Sequence, residues 1–233
     1  RVHMPSVAPT NERPNSPGVL ISFEGLDGVG KTTQIGLVEN ALRAQGRETL
    51  RLREPGATRL GEAVRELLLD KQDLDISPMA ELLLFEAARA QLVESVIQPA
   101  LGRGCVVFCD RFYDSTVAYQ GHGRRLGTDL VHKANVLACG ALEPDRTLVL
   151  DMDLARAHTR ACAQGADRME REPDDFHKRV RQGFLQLAGD EAQRVRIVDA
   201  SGSVQQVWGR VRDALSGLLN LPVELPSDTE EPR

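Results

Sequence analysis

The chain has 233 residues, 41% apolar and 27% charged, which is ordinary for a chain with a sizeable core and excludes disorder of the whole. Its net charge of −5 speaks against a general nucleic-acid binder, and apolar runs as short as Leu82–Phe85 leave nothing to span a bilayer. The four cysteines, at 105, 109, 139 and 162, form no Cys-x-x-Cys pair, so reduced thiols and a cytoplasmic setting are expected.

Residues 1–17 carry Pro5, Pro9, Pro14 and Pro17 among polar neighbours, without the apolar stretch of a secretory signal, and read as a disordered tail. Gly18–Glu24 is an apolar run that predicts a buried strand. After a glycine-rich turn, Thr32–Ala44 has the pattern of a helix that stops near Gly46. Glu48–Arg53 alternates and predicts a second strand. Leu60–Leu69 and Pro78–Leu101 have helical apolar spacing, the latter entered through Ser77-Pro78. Cys105–Asp110 predicts a third strand, with Cys105 and Cys109 in the core. Arg146–Asp151 and Val195–Asp199 predict two more. Leu221–Arg233 reads as a second disordered tail, leaving one domain over residues 18–220. Strands alternating with helices imply a mostly parallel sheet covered on both faces. Such sheets bind ligands beyond the carboxyl ends of their strands, where Glu24, Arg53, Asp110 and Asp151 fall.

Gly25-Leu26-Asp27-Gly28-Val29-Gly30-Lys31-Thr32 fits the Gly-x4-Gly-Lys-Thr phosphate loop, with a strand before it and a helix after it. Backbone N–H groups from Gly25 through Gly28, Val29 and Gly30 to Thr33 suit phosphate oxygens. Lys31 supplies charge to the β- and γ-phosphates, and the Thr32 hydroxyl suits Mg²⁺. Asp110, at a strand end, has the position of an acid that holds the Mg²⁺ shell; its plainer reading is a loop or capping acid. No Asn-Lys-x-Asp base-reading motif of a GTPase is present. Arg53, Arg89 and Arg111 point to an anionic acceptor, because a guanidinium grips phosphate through a planar fork.

The chain resembles the bacterial thymidylate kinase family over about residues 18–219. The resemblance rests on the run from Phe23 to Thr33, Arg53-Glu54-Pro55-Gly56, Leu84–Arg89, Asp110-Arg111-Phe112 with Ser115-Thr116, Ala118–Gly121, Leu150-Asp151 and Asp167–Glu170. It implies an α/β, P-loop NTPase-type fold: a parallel five-stranded sheet flanked by helices, with a mobile helical lid over about residues 156–181. It implies transfer of the ATP γ-phosphoryl to dTMP, with Mg²⁺, in dTTP synthesis by a cytoplasmic homodimer. By position, Phe85 resembles the aromatic that stacks on thymine and Arg89 the arginine that reads the base. Thr116 and Gln120 resemble further base and sugar contacts, with Glu54, Pro55, Ser115 and Tyr119 beside them. Arg53 and Arg111 resemble clamps on the dTMP phosphate, and Asp27 the acid near the sugar hydroxyl.

Plainer readings stand beside these. Phe85 and Tyr119 have the spacing of core residues, and Arg89 that of a salt-bridged helix residue. Arg156–Arg181 reads equally as a solvated basic face. Relatives carry a basic residue either in the phosphate loop or in the lid. Gly28 and Val29 leave the task to the lid, yet Gln164 stands where lid-type relatives have an arginine before the lid glycine, here Gly165. Arg168 is then the first choice for the lid cation and Arg160 the second. Ala57 is a smaller departure, at a position where glycine is usual. Two alternatives remain: a deoxynucleoside kinase with Glu54 as base, and a catalytically silent nucleotide-binding regulator.

Overall fold

A computed structural model of the chain describes residues 18–69, 74–162 and 168–226, Cys162 by its backbone alone. The two tails up to 17 and from 227, and the expected lid positions Gln164, Gly165 and Asp167, lie outside the described residues. Strands β1 (Val19–Glu24), β2 (Thr49–Arg53), β3 (Val106–Asp110), β4 (Arg146–Asp151) and β5 (Val195–Asp199) form one parallel sheet in the order β2-β3-β1-β4-β5. The chain winds from β1 toward β3 and β2 on one side and β4 and β5 on the other. The carboxyl end of β1 is thus the switch point where such a sheet opens a crevice. Phe23 and Arg53 both pair in register with Asp110, so three strand ends finish level there.

Period-two alternation assigns each strand residue to one of two cores. Ile21 and Phe23 of β1 join Val106 and Phe108 of β3 on one face; Leu20 joins Val107 and Cys109 on the other. Both faces are covered, which is why these strands read as continuous apolar runs. The helices are α1 (Lys31–Ala44), α2 (Arg59–Leu69), α3 (Pro78–Leu92), α4 (Gln98–Gly102), α5 (Tyr113–Thr116), α6 (Thr128–Cys139), α7 (Leu154–Cys162), α8 (Asp174–Asp190) and α9 (Val204–Ala214). Among the described residues no helix is long and apolar enough to cross a membrane.

The Ser77 hydroxyl caps α3 by accepting from the Ala80 N–H at 3.4 Å, with Pro78 in the first turn. The expected helix from 78 to 101 runs on, but through a π-helical turn at Val93–Ile97 before α4. Pro99 lacks an N–H for the α-helical ladder, and the widened turn accommodates that loss. A second π-helical segment, Val117–Gly123, follows α5 and carries Tyr119 and Gln120. Cys105, Cys109 and Cys139 are buried free thiols. Leu221, expected to open the tail, is buried in the core with Leu215 and Leu219.

Candidate active site

Left-handed backbone and a crowding neighbour together demand glycine at two positions of the phosphate loop. Gly25 has φ 121°, and a Cβ there would lie 2.2 Å from the Leu150 carbonyl oxygen of β4. Gly28 has φ 79°, and a Cβ there would lie 2.3 Å from the Ala157 oxygen and 3.0 Å from Arg160 Cβ, both on α7. Helix α7 therefore rests on the tip of the loop, backbone to backbone.

Lys31, 6% exposed, curls over this loop. Its Nζ donates to the oxygens of Leu26 at 2.9 Å and Gly25 at 3.2 Å and lies 3.5 Å from Asp27. Burial lowers its pKa, as does the nearby Arg111. One residue on, Thr32 Oγ1 donates to Asp110 Oδ2 at 2.8 Å. The pair presents hard oxygen atoms, the donor type that suits Mg²⁺.

Arg111 follows β3 with φ 72°, a left-handed backbone that costs energy outside glycine. Its N–H donates to the Phe23 oxygen at 3.0 Å, which secures that conformation. The guanidinium donates to Asp27 Oδ1 at 2.6 Å and Ser115 Oγ at 3.2 Å, and its centre lies 5.1 Å from the Tyr119 ring centroid. Burial alone would raise the Asp27 carboxyl, but Arg111 and Lys31 outweigh it and hold the group well below the carboxylate range. Behind them Glu24, fully buried, accepts from Ser22 Oγ at 2.6 Å, the Phe112 N–H at 2.7 Å and Ser115 Oγ at 2.5 Å. Burial, then the charge of Asp114, push its pKa up to about 7.

A second cavity opens on the other side of Asp27. Glu54, Pro55, Phe85, Arg89, Arg111, Ser115, Thr116, Tyr119 and Gln120 line it with Asp27. These are the expected acceptor residues save Arg53. That side chain turns to Glu62 at 3.3 Å and stays half exposed. Arg65 and Leu69 of α2, Phe112 and Met169 complete the wall. No pattern in the sequence marked Arg65, and Met169 stood only within the family-like run Asp167–Glu170 without a role, because only the tertiary fold brings α2 and the residues before α8 to this wall.

Arg89 is a salt-bridged helix residue that also lines the cavity. It is 2% exposed, lines the cavity, and donates to Glu54 at 2.8 Å, Glu86 at 2.8 Å and Asn135 at 3.2 Å. Burial pushes Glu54 up to about 7 against the pull of Arg89. Thr116 Oγ1 is buried with no hydrogen-bond partner among the described residues, an acceptor or donor left for a ligand. Tyr119 packs edge-on to Phe176 and Phe184 and also lines the cavity.

The two arginines expected in a lid part company. Arg160 is exposed on α7 beside Gly28. Arg168, the first choice for the lid cation, donates instead to Glu81 at 2.6 Å and to the Leu68 oxygen at 2.7 Å. A cavity between α7, the start of α8 and the phosphate loop shares Asp27 with the acceptor cavity.

A family model described as Thymidylate kinase matches residues 23–211. The chain is 48% identical over 204 residues to the thymidylate kinase of Bifidobacterium longum strain NCC 2705, covering 86% of this chain and 98% of that one. It is 46% identical over 202 residues to the thymidylate kinase of Caldanaerobacter subterraneus subsp. tengcongensis, covering 87% and 97%. The crystal structure of thymidylate kinase from Ehrlichia chaffeensis matches with a TM-score of 0.68 and 33% identity, over 86% of this chain and 99% of that one.

Proposed function

The chain belongs to the thymidylate kinase family and phosphorylates dTMP to dTDP at the expense of ATP, and on that premise we propose how its residues divide the work. The observation that carries the division is the position of Asp27 between two cavities, one at the lid and phosphate loop and one lined by Phe85 and Arg89. ATP phosphates lie on the first side, along the N–H groups of Gly25–Thr33, with Lys31 at the β- and γ-phosphates. dTMP lies on the second. Phe85 stacks on the base, while Arg89, Thr116 and Gln120 meet its polar rim.

The acceptor phosphate is mostly dianionic at pH 7, since its second pKa is about 6, so its oxygen needs no general base. That oxygen attacks the γ-phosphorus, and the bond to the β–γ bridging oxygen breaks, leaving ADP. The protein's task is to bring two polyanions into line and to spread cationic charge round the moving phosphoryl group. Arg111 faces the acceptor phosphate; its pairing with Asp27 sets the direction of its fork. Arg53, on the rim, meets the same phosphate after leaving Glu62. Arg160 serves as the lid cation, supported by its place beside Gly28, and Arg168 ties the lid down. Magnesium fits the Thr32 and Asp110 oxygens and, when bound with the nucleotide, neutralises charge on the β- and γ-phosphates. Glu54 acts as the partner of Arg89 rather than as a base, which disfavours the nucleoside-kinase alternative.

We further propose a cytoplasmic homodimer. Exposed Leu67 on α2, Leu83 on α3 and Leu137 on α6, at 47%, 58% and 88%, lie on helices that pack side by side and support an interface there. Sedimentation analysis tests it, with a monomer as the contrary result.

ADP release with dTMP, dUMP, thymidine, GMP or no acceptor tests the catalytic reading. Strongest turnover with dTMP is expected. Turnover with thymidine but not dTMP would return Glu54 to the role of base, and none with any acceptor would favour a silent regulator.

A further inference from the structure

Glu81 has no part in the chemistry above, yet its carboxylate is fully buried on α3. It lies one turn before Phe85 and two before Arg89, on the helix face that lines the acceptor cavity. Four bonds converge on it. Oε1 accepts from Gln120 Nε2 at 2.7 Å and Arg124 Nε at 3.0 Å; Oε2 accepts from Arg124 Nη2 at 3.0 Å and Arg168 Nη2 at 2.6 Å. A carboxylate offers about four acceptor positions, so Glu81 is saturated. Arg124 also meets Glu172 at 2.6 Å, which balances two guanidiniums with two carboxylates.

These donors belong to different parts of the site. Gln120 lines the acceptor cavity. Arg168 begins the chain's return from the lid, and the neighbouring Met169 lines the same cavity. An ionised carboxylate can only accept. Gln120 must therefore turn its NH₂ to Glu81, which leaves its carbonyl oxygen for a donor on the nucleotide.

We propose that Glu81 is a positioning residue that couples the acceptor pocket to the lid, orienting Gln120 as an acceptor and clamping the lid's return through Arg168. It rests on the dTMP reading and adds to it. One carboxylate makes the shape of the pocket and the anchorage of the lid a single event. A lid that pulls Arg168 away takes Met169 out of the pocket wall and leaves Glu81 one donor short.

A double-mutant cycle on the full-length chain tests this, with Glu81→Gln, Arg168→Gln and the double variant, reading KM for dTMP, KM for ATP, kcat and thermal midpoint. Glu81→Gln should raise KM for dTMP about tenfold or more, the scale of one charge-assisted hydrogen bond, with KM for ATP within about twofold. The double variant should be no worse than Glu81→Gln within about twofold, because both changes remove one contact. Fold-changes that multiply, or an unchanged KM for dTMP in Glu81→Gln, overturn the proposal. If Glu81→Gln does not fold, Gln120→Leu with Arg168→Gln supplies the cycle; there too, effects that multiply overturn it. A wild-type chain without dTMP turnover would sink the functional reading itself, whereas multiplying effects in an active enzyme sink this proposal alone.

Discussion

Thr32, at the start of α1, donates its hydroxyl to the Asp110 carboxylate at the end of β3 across 2.8 Å. Residues 78 apart in the chain thus present adjacent hard oxygens where the phosphate loop becomes a helix. Asp110→Asn keeps the shape and removes the charge. The Mg²⁺ concentration at half-maximal rate should rise about 10–100-fold, as for an outer partner of a bound metal. An unchanged Mg²⁺ titration would leave Asp110 as a capping acid for Thr32.

Phe85 is half-buried, packing on the Val64–Leu68 side of α2 while lining the acceptor cavity. Base–aromatic stacking is worth about 1–3 kcal/mol by alanine substitution. Phe85→Ala should therefore raise KM for dTMP about 5- to 150-fold and leave KM for ATP nearly unchanged. Equal effects on both substrates would mean that the ring only packs.

The lid arginines should separate by kinetics. Arg160→Ala should lower kcat strongly with little change in KM for dTMP, because its charge counts at the moving phosphoryl group. Arg168→Ala should act first on KM for dTMP. The reverse pattern would hand the phosphoryl role back to Arg168.

These cases show what a sequence can carry. The phosphate loop was legible because its chemistry is local: one strand, one turn and one helix start hold every group. The strand-end positions of Glu24, Arg53 and Asp110 were legible because these polar residues close runs that read as buried parallel strands, apolar before Glu24 and Asp110 and alternating before Arg53. Long-range partners were not. Arg89 looked like an ordinary helix arginine, since its partners Glu54 and Asn135 lie 35 and 46 residues away. Glu81 drew no reading at all, since its partners Gln120, Arg124 and Arg168 lie 39, 43 and 87 residues away. Arg53 was aimed at the acceptor by position, but Glu62, one helix later, draws it to the rim. The π-helical turn before Pro99 was invisible to a search for one helical period.

Glu24 makes stability depend on pH. Its carboxyl is raised from 4.5 to about 7 in the folded chain. Between those values the folded state holds a proton that the unfolded state has lost, so stability falls as pH rises through that window. The full contribution is about 3 kcal/mol by linkage. Glu24→Gln removes the titration. Urea midpoints of wild type and variant, compared from pH 5 to 8, should diverge in the variant's favour as pH rises. Parallel curves would mean that Glu24 is ionised throughout.

Gly28 carries a consequence for what this scaffold can become. With the Ala157 oxygen 2.3 Å from any Cβ at that position, no side chain fits while α7 rests on the loop. A basic residue grafted there would have to evict the helix that bears Arg160. The loop and α7 compete for one volume, so a side chain on the loop at that point and α7 in its present place exclude each other. Moving that charge from one element to the other requires both to change together, and an intermediate with both or neither would be sterically crowded or short of charge.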